Sequence, residues 1–179
     1  ELNRSGDVST PESYIPKTKQ DMVGVYLQDD LSIGHLNLIP AMRFDRWSTS
    51  SSAINKNDQA WSPSLGAIWS QEPAAMPFIN IGKGFRAPAA EEISASFTNQ
   101  AHGYAYIPNP NLNPERVLAK EVGIKGALQQ IKYAVSYFDN SYDDFISQYT
   151  FNSGTSPNGM AVCGLPQCYQ YQNAPKANI

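Results

Sequence analysis

Apolar and polar residues alternate along six stretches of the chain, as half-exposed β-strands require. In the first stretch, Val23, Val25 and Leu27 are separated by polar or small residues. Because successive side chains of a strand point to opposite faces, this alternation places the apolar side chains on one face of a sheet. The predicted strands are Met22–Ile33, Leu36–Trp47, Trp61–Gln71, Phe78–Phe85, Val117–Ala127 and Ile131–Thr150.

The connections between these strands are alternately short and long. Short turns are predicted near Gly34, Pro73 and Gln129. The long polar connections are Ser48–Ala60, Ala87–Pro114 with a short helix over Ala89–Ser96, and Phe151–Ile179. Bacterial outer-membrane barrels combine short periplasmic turns with long extracellular loops. We therefore predict an all-β fold, an antiparallel transmembrane β-barrel of which this chain supplies about six consecutive strands with long extracellular loops.

Composition narrows the class of protein. The 179 residues are 41% hydrophobic and carry a net charge of −3. They contain no run of about 20 apolar residues for a transmembrane helix and no basic stripe for nucleic acid. A barrel of this kind needs at least about eight strands, and the N-terminus does not resemble a signal peptide. We therefore expect residues 1–179 to be a partial barrel domain, with Trp47 in the aromatic girdle at the membrane edge.

Cys163 and Cys168 have four residues between them, in a stretch rich in Gly, Pro, Ser and Asn. This pattern favours a small disulfide loop formed in an oxidising compartment. Two other interpretations stay open. A metal-binding pair would need further ligands, and no histidine lies nearby in the sequence; the third interpretation is a pair of free thiols.

Two tetrapeptides enclose the polar connection Ala87–Pro114. It opens with Phe85-Arg86-Ala87-Pro88, closes with Asn109-Pro110-Asn111-Leu112, and contains His102 between them. At this separation, and around a histidine, they resemble the FRAP and NPNL boxes of the TonB-dependent outer-membrane receptors for haem and haemoprotein. FRAP alone also occurs in siderophore receptors of the wider superfamily. The stretches VYLQDDL and LIPAMRFD resemble mid-barrel strands of the same superfamily, so that the resemblance extends from Met22 through Asp144.

The resemblance implies a receptor in the bacterial outer membrane that captures haem, free or from a haemoprotein or hemophore, as its transported ligand. His102 would ligate the haem iron from an extracellular loop spanning residues 86–116. A second axial histidine would come from a plug domain, through which the TonB complex would also act. We expect the plug and the TonB box to lie elsewhere in a longer protein. The sequence predicts no nucleic-acid partner.

The residues around His102 suit a haem ligand, because haem iron is commonly held by imidazole and a porphyrin needs an apolar or aromatic surface. In an extended segment His102, Tyr104 and Tyr106 project from one side, and Phe97 precedes them as a further candidate contact. The alternative for these aromatic residues is packing within the loop. His35 is predicted in a periplasmic turn, on the wrong side for capture.

Arg86 has two interpretations. It pairs with a haem propionate, or it fixes the base of the loop through carboxylates such as Glu91 or Glu92. Both tetrapeptides are predicted to act as scaffold: the first stiffens the start of the loop, and the second fixes its end through side-chain-to-backbone hydrogen bonds. Their members are Phe85, Arg86, Ala87, Pro88, Asn109, Pro110, Asn111 and Leu112.

No constellation of catalytic residues is present, and we do not expect an enzyme. Asp143 and Asp144 are adjacent, so that in a strand they point to opposite faces and cannot share acid–base work. Two rival functions remain. A siderophore receptor of the same superfamily predicts that removal of His102 leaves function unchanged, and a soluble β-rich binding module predicts a chain that is monomeric without detergent.

Overall fold

The computed structural model describes residues 17–51, 54–157, 159 and 161–178, and most of them lie in β-strands. The strands are β1 (Thr18–Gln28), β2 (Leu31–Ile33), β3 (Leu36–Ser51), β4 (Asn55–Trp69), β5 (Met76–Arg86), β6 (Phe97–Asn99), β7 (Tyr104–Tyr106), β8 (Glu115–Leu128), β9 (Ile131–Phe151), β10 (Gly154–Thr155), β11 (Val162–Cys163) and β12 (Gln167–Asn178), and helix α1 spans Ala90–Ser94. The main sheet has the order β1-β3-β4-β5-β8-β9-β12-β7-β6, with β2 also paired to β3. A separate hairpin joins β10 and β11.

The six predicted strands are all present and pair in antiparallel register. The first is divided in two, because β1 and β2 both pair with β3 but are separated at Asp29 and Asp30. The predicted helix is present as α1. The turns at Gly34 and Gln129 use backbone φ angles of +60° and +53°, which allow the chain to reverse tightly between strands.

The prediction of a loop over Ser48–Ala60 was wrong. Strand β3 runs on to Ser51 and β4 begins at Asn55, and the two pair continuously up to Ser50 and Asn55. The polar residues here extend the hairpin and do not interrupt it. The alternation of apolar residues does not reveal this extension, because side chains on both faces are polar there.

The prediction of a loop over Phe151–Ile179 was also wrong for its second half, because Gln167–Asn178 form strand β12. Strand β12 pairs with β9 from Cys168 opposite Phe151 to Asn178 opposite Ser141. Its segment QCYQYQNAPKAN has no aliphatic alternation and includes Pro175, so that it lacks the pattern of a lipid-facing strand. The described residues therefore contribute a seventh long strand to the sheet.

The apolar side chains of the long strands share one face of the sheet, and this face is exposed. Ladder partners such as Ile79 and Val122, or Val122 and Tyr137, point to the same side. Val25 is 68% exposed and Val135 is 67% exposed. Large apolar side chains exposed in this number along one face are typical of the lipid-facing band of an outer-membrane barrel.

Along β8 and β9 the apolar band ends at an ion pair. Lys120 and Asp139 are ladder partners with Nζ and Oδ2 3.2 Å apart. Strand β8 begins beyond this pair, at Glu115, whose ladder partner is Arg86. These two residues therefore lie outside the band, at the end of the sheet that carries the 87–114 connection. Among the described residues, no helix is both long enough and apolar enough to span a membrane.

The buried core lies at this same end of the sheet. Ile54, Ile93, Leu112 and Ile146 form a cluster in which none is more than 8% exposed, and Tyr171 packs against it. Two of these residues come from the 87–114 connection, and the other three come from the β3–β4 turn, β9 and β12. The long connection is therefore packed onto the sheet as part of its core.

Trp47 belongs to this interior, and its predicted place in the outer girdle was wrong. Its side chain is 2% exposed, and its ring stacks on Phe85 with centroids 4.9 Å apart and planes at 18°. Phe44 packs against the exposed Trp61, and Trp47 is three residues further along the same strand. Since side chains alternate along a strand, Trp47 points to the opposite face.

We expect Trp47→Ala to destabilise the loop end of the sheet by about 3–5 kcal/mol, because a buried aromatic side chain would be truncated. Urea unfolding of the intact receptor in detergent measures this effect. The matched control is Trp61→Ala, since Trp61 is 61% exposed, and it should change the stability by less than about 1 kcal/mol. Equal losses in the two variants would contradict the assignment of Trp47 to the core.

Candidate functional site

The 87–114 connection is an ordered segment that links the two ends of the row of long strands. Near its start, the hydroxyls of Ser94 and Thr18 in β1 are 3.3 Å apart, and Gln20 in β1 donates a hydrogen bond to the carbonyl oxygen of Pro88. Further on, β7 adds to β12 as a parallel strand. Contacts with both β1 and β12 hold the segment across one face of the sheet.

The start of the segment is fixed by Arg86. Its guanidinium donates to both carboxylate oxygens of Glu92 at 2.9 and 3.0 Å, and to both oxygens of Glu115 at 2.7 and 2.8 Å. Arg86 also lowers the pKa of Glu115 through these hydrogen bonds. Glu92 was one of the two partners expected from the sequence. Glu115 was missed, because it becomes a neighbour only through the pairing of β5 with β8.

The end of the segment is fixed by Asn109, which is 4% exposed. Its backbone N–H donates to the backbone carbonyl oxygen of Ile93 at 3.0 Å. Its side-chain amide donates to the backbone carbonyl oxygen of Tyr171 at 2.8 Å. Its side-chain oxygen accepts from the backbone N–H of Asn111 at 3.1 Å. Leu112 follows with 0% exposure. Side-chain-to-backbone hydrogen bonds of the predicted kind are therefore present here.

His102 lies at the tip of the β6–β7 hairpin and is exposed. Next to it, Gly103 has a φ of +71°, a left-handed conformation that closes the turn and that other residues rarely adopt. The carbonyl oxygen of Gly103 accepts a hydrogen bond from the backbone N–H of Gln167 at 3.1 Å. The hairpin tip is thereby tied to the start of β12. His35 lies in the turn between β2 and β3, at the other end of the sheet.

Aromatic side chains line one face of this hairpin. Phe97 and Tyr106 are ladder partners, and Tyr104 is two residues from Tyr106, so that all three share a face. Tyr169 of β12 stacks on Tyr106, with centroids 4.7 Å apart and planes at 22°. Asn99 lies on the same face, opposite Tyr104, and its Oδ1 is 3.1 Å from Nδ1 of His102. Neither Tyr169 nor Asn99 was predicted from the sequence.

The opposite face of the hairpin packs against a disulfide. Cys163 and Cys168 are joined, with Cα atoms 6.4 Å apart. Cys168 is 0% exposed and Ala105 in β7 is 6% exposed, and Ile107, Phe151 and Leu165 complete the cluster. Because Cys168 is the ladder partner of Ala105, the disulfide supports the strand that carries Tyr104 and Tyr106.

Replacing both cysteines by serine is expected to loosen the His102 hairpin. The disulfide closes a short loop, and the loss of such a cross-link costs about 2 kcal/mol in the chain-entropy account. Hydrogen exchange of residues 97–106 in the intact receptor should become faster in the double variant, and also in the wild-type protein after reduction. Exchange in residues 121–128 of β8 and 131–138 of β9, which lie far from the hairpin, is the internal control and should not change. Unchanged protection of 97–106 would contradict this role of the disulfide.

The geometry places an exposed imidazole beside a cluster of aromatic rings. The imidazole of His102 is accessible and hydrogen-bonded on one ring nitrogen, and Phe97, Tyr104, Tyr106 and Tyr169 contact one another beside it. Such a surface suits stacking of a planar ligand, and an imidazole suits a transition metal. By contrast, all three guanidinium nitrogens of Arg86 already donate to the carboxylates of Glu92 and Glu115.

Comparison with known proteins shows what this chain is similar to. A family model described as TonB dependent receptor-like, beta-barrel matches residues 2–179. The Heme/hemopexin utilization protein C of Haemophilus influenzae is 27% identical over an alignment that covers 87% of this chain and 25% of that protein. The Hemin receptor of Yersinia enterocolitica is 30% identical, with 75% of this chain and 22% of that protein covered. The chain thus spans about a quarter of the length of these relatives.

Two solved structures share the fold. A double mutant of the hemophore receptor HasR of Serratia marcescens, in complex with its hemophore HasA and heme, superposes with a TM-score of 0.76 at 17% identity, over 92% of this chain and 31% of that one. The siderophore receptor PirA of Acinetobacter baumannii superposes with a TM-score of 0.64 at 23% identity, over 89% of this chain and 24% of that one. At these identities the likeness shows the fold alone.

Proposed function

The chain belongs to the TonB-dependent receptor-like β-barrel family, and from this premise we propose that it forms part of an outer-membrane receptor that captures haem for TonB-dependent uptake. Proteins of this family are receptors and transporters and not enzymes. In a barrel of this family the apolar face of the sheet meets lipid. The opposite face, onto which the 87–114 segment packs, then faces the lumen.

The observation that carries the proposal is the position of His102. It is exposed at a hairpin tip, at the end of the sheet away from the short turns, and an aromatic face lies beside it. Haem iron is commonly bound by imidazole, and the surface of a porphyrin is mostly apolar. The curated relatives named for haem or hemin support the same cargo.

Four residues of the loop would meet the ligand. The extracellular loop comprises residues 86–116, and His102 binds the iron. Phe97, Tyr104 and Tyr106 contact the porphyrin or its protein donor, and Tyr169 extends their surface. The second axial ligand comes from a plug domain, which also communicates with TonB.

The two tetrapeptides act as scaffold in this proposal. Phe85 stacks on Trp47, Pro88 is buried, and Asn109 is hydrogen-bonded to three backbone groups. Contacts of this kind hold both ends of the loop and leave its tip free to meet a ligand. We assign Arg86 to the base of the loop and not to a propionate, because Glu92 and Glu115 already accept its hydrogen bonds.

The siderophore receptor is the second candidate, because PirA has the same fold. Titration of the intact receptor in detergent separates the two cargoes. Haem binding is followed by the Soret band, and binding of a ferric catecholate siderophore is followed by quenching of tryptophan fluorescence. We expect saturable haem binding with a shifted Soret band and no saturable siderophore binding. Saturable binding of the siderophore without binding of haem would contradict the proposal.

A further inference from the structure

Asn99 contacts His102 in a way that defines which ring nitrogen carries the proton. Oδ1 of Asn99 lies 3.0 Å from the backbone nitrogen of His102 and 3.1 Å from Nδ1 of its ring. A backbone N–H only donates, so the side-chain atom of Asn99 that receives it is the carbonyl oxygen and not the amide nitrogen. This oxygen cannot donate in turn. Nδ1 of His102 must therefore carry a proton to form the second hydrogen bond.

A proton on Nδ1 leaves the lone pair of the neutral ring on Nε2. The described part of the chain offers Nε2 no hydrogen-bond partner, and the His102 side chain is exposed. Nε2 is therefore directed to solvent in the form that binds a metal. Histidines that ligate metals generally donate their other N–H to a carboxylate or carbonyl group, which fixes the ring and strengthens the ligand.

Asn99 is itself held in place. It is the last residue of β6 and the ladder partner of Tyr104, so that the pair closes the turn that contains His102. β7, on the other side of the hairpin, pairs with β12 next to the disulfide. Because Oδ1 of Asn99 accepts from both the backbone N–H and the ring of His102, the imidazole is held against the end of β6.

We propose that Asn99 is a positioning residue for iron binding: it holds His102 in the Nδ1-protonated tautomer and presents Nε2 to the iron of haem. This inference rests on the proposed function, in which His102 takes the iron. It adds that a hydrogen bond from Nδ1 to a neutral amide sets the donor strength of the ligand. Replacement of the amide by a carboxylate makes this hydrogen bond stronger and the imidazole a stronger donor.

The test compares Asn99→Ala, Asn99→Asp, His102→Ala and the neighbouring control Thr98→Ala in the intact receptor in detergent. The haem affinity is measured by Soret titration, and the ferric/ferrous midpoint potential of the bound haem by redox titration. Asn99→Ala should weaken haem binding by about 10–100-fold, the usual effect of losing an outer-shell partner. Asn99→Asp should retain the affinity and lower the midpoint potential, because a stronger donor favours ferric iron. Thr98→Ala should match the wild type in both.

The outcomes separate this inference from the proposed function. If the wild-type receptor does not bind haem, the proposed function fails and this inference fails with it. If His102→Ala binds haem like the wild type, another residue holds the iron, so the inference fails while haem capture stands. If His102→Ala loses binding while both Asn99 variants keep the wild-type affinity and potential, His102 remains the ligand and the inference about Asn99 is overturned. If Asn99→Ala loses affinity but Asn99→Asp keeps the wild-type potential, Asn99 only supports the hairpin, and its role in tuning the ligand is overturned.

Discussion

Replacing His102 by alanine is expected to weaken haem binding to the intact receptor by at least about 100-fold, because loss of a ligand should exceed the 10–100-fold cost of losing an outer-shell partner. The Soret band of any haem that remains bound should change, since the iron would lose an axial imidazole. The fold should be retained, because the side chain is exposed and contacts Asn99 of its own hairpin. Soret titration of the detergent-solubilised receptor measures both effects.

His35→Ala is the matched control for this experiment. These are the two histidines of the chain, and His35 lies in the β2–β3 turn with its ring 5.9 Å from that of Trp69. The His35→Ala variant should bind haem like the wild type. If both histidine variants bound haem with wild-type affinity and spectrum, His102 would not be the ligand. Another residue of the intact receptor would then hold the iron.

The second large effect is expected for Arg86→Ala. Removal of the guanidinium leaves the carboxylates of Glu92 and Glu115, whose side chains are 12% and 10% exposed, without their charged partner. Because hydrogen bonds to charged groups contribute about 1.5–3 kcal/mol each and these are coupled, we expect a loss of about 3 kcal/mol at the base of the loop. Limited proteolysis of residues 87–114 in the intact receptor should become at least 10-fold faster.

Arg116→Ala is the control for the loss of one arginine, since Arg116 is the exposed neighbour of Glu115 in β8. Its proteolysis rate should stay near that of the wild type. Equal rates in Arg86→Ala and the wild type would show that the ion pairs do not hold the loop.

The contribution of Glu115 should also depend on pH. Since its pKa is lowered in the folded protein, its stabilising effect is complete above the pKa of an unfolded glutamate, about 4.3. It is lost as the pH falls through the lowered value.

The part of the fold that meets lipid was predictable from the sequence, and the part beyond it was not. Val122, Ile124 and Val135 alternate with polar or small residues because one face of their strands has no water. Between the Lys120–Asp139 pair and the end of the sheet that carries the 87–114 segment, both faces of the strands meet protein or water. The alternation of apolar and polar residues disappears there. Strand β12 shows this: Gln170 and Gln172 are 2% and 5% exposed although both are polar, and Gln170 donates to the carbonyl oxygen of Pro108.

The candidate site was predictable only as far as its motifs extend along the chain. His102 and the two tetrapeptides are contiguous features of the sequence, whereas Glu115 and Tyr169 reach the loop through the pairing of strands. Asn99 had a weak local signal, because asparagine side chains near turns commonly accept hydrogen bonds from backbone groups close by in the chain. Its contact with the imidazole ring depends on the hairpin geometry, which the sequence does not specify.

The measurement that tests the central claim most directly is a structure of the intact receptor with haem bound. The account predicts that Nε2 of His102 coordinates the iron, that Nδ1 keeps its hydrogen bond to Asn99, and that the porphyrin lies against Tyr104, Tyr106 and Tyr169. It also predicts that Arg86 stays paired with Glu92 and Glu115. Haem bound away from the β6–β7 hairpin, or iron held by another residue of the loop with His102 turned to solvent, would contradict it.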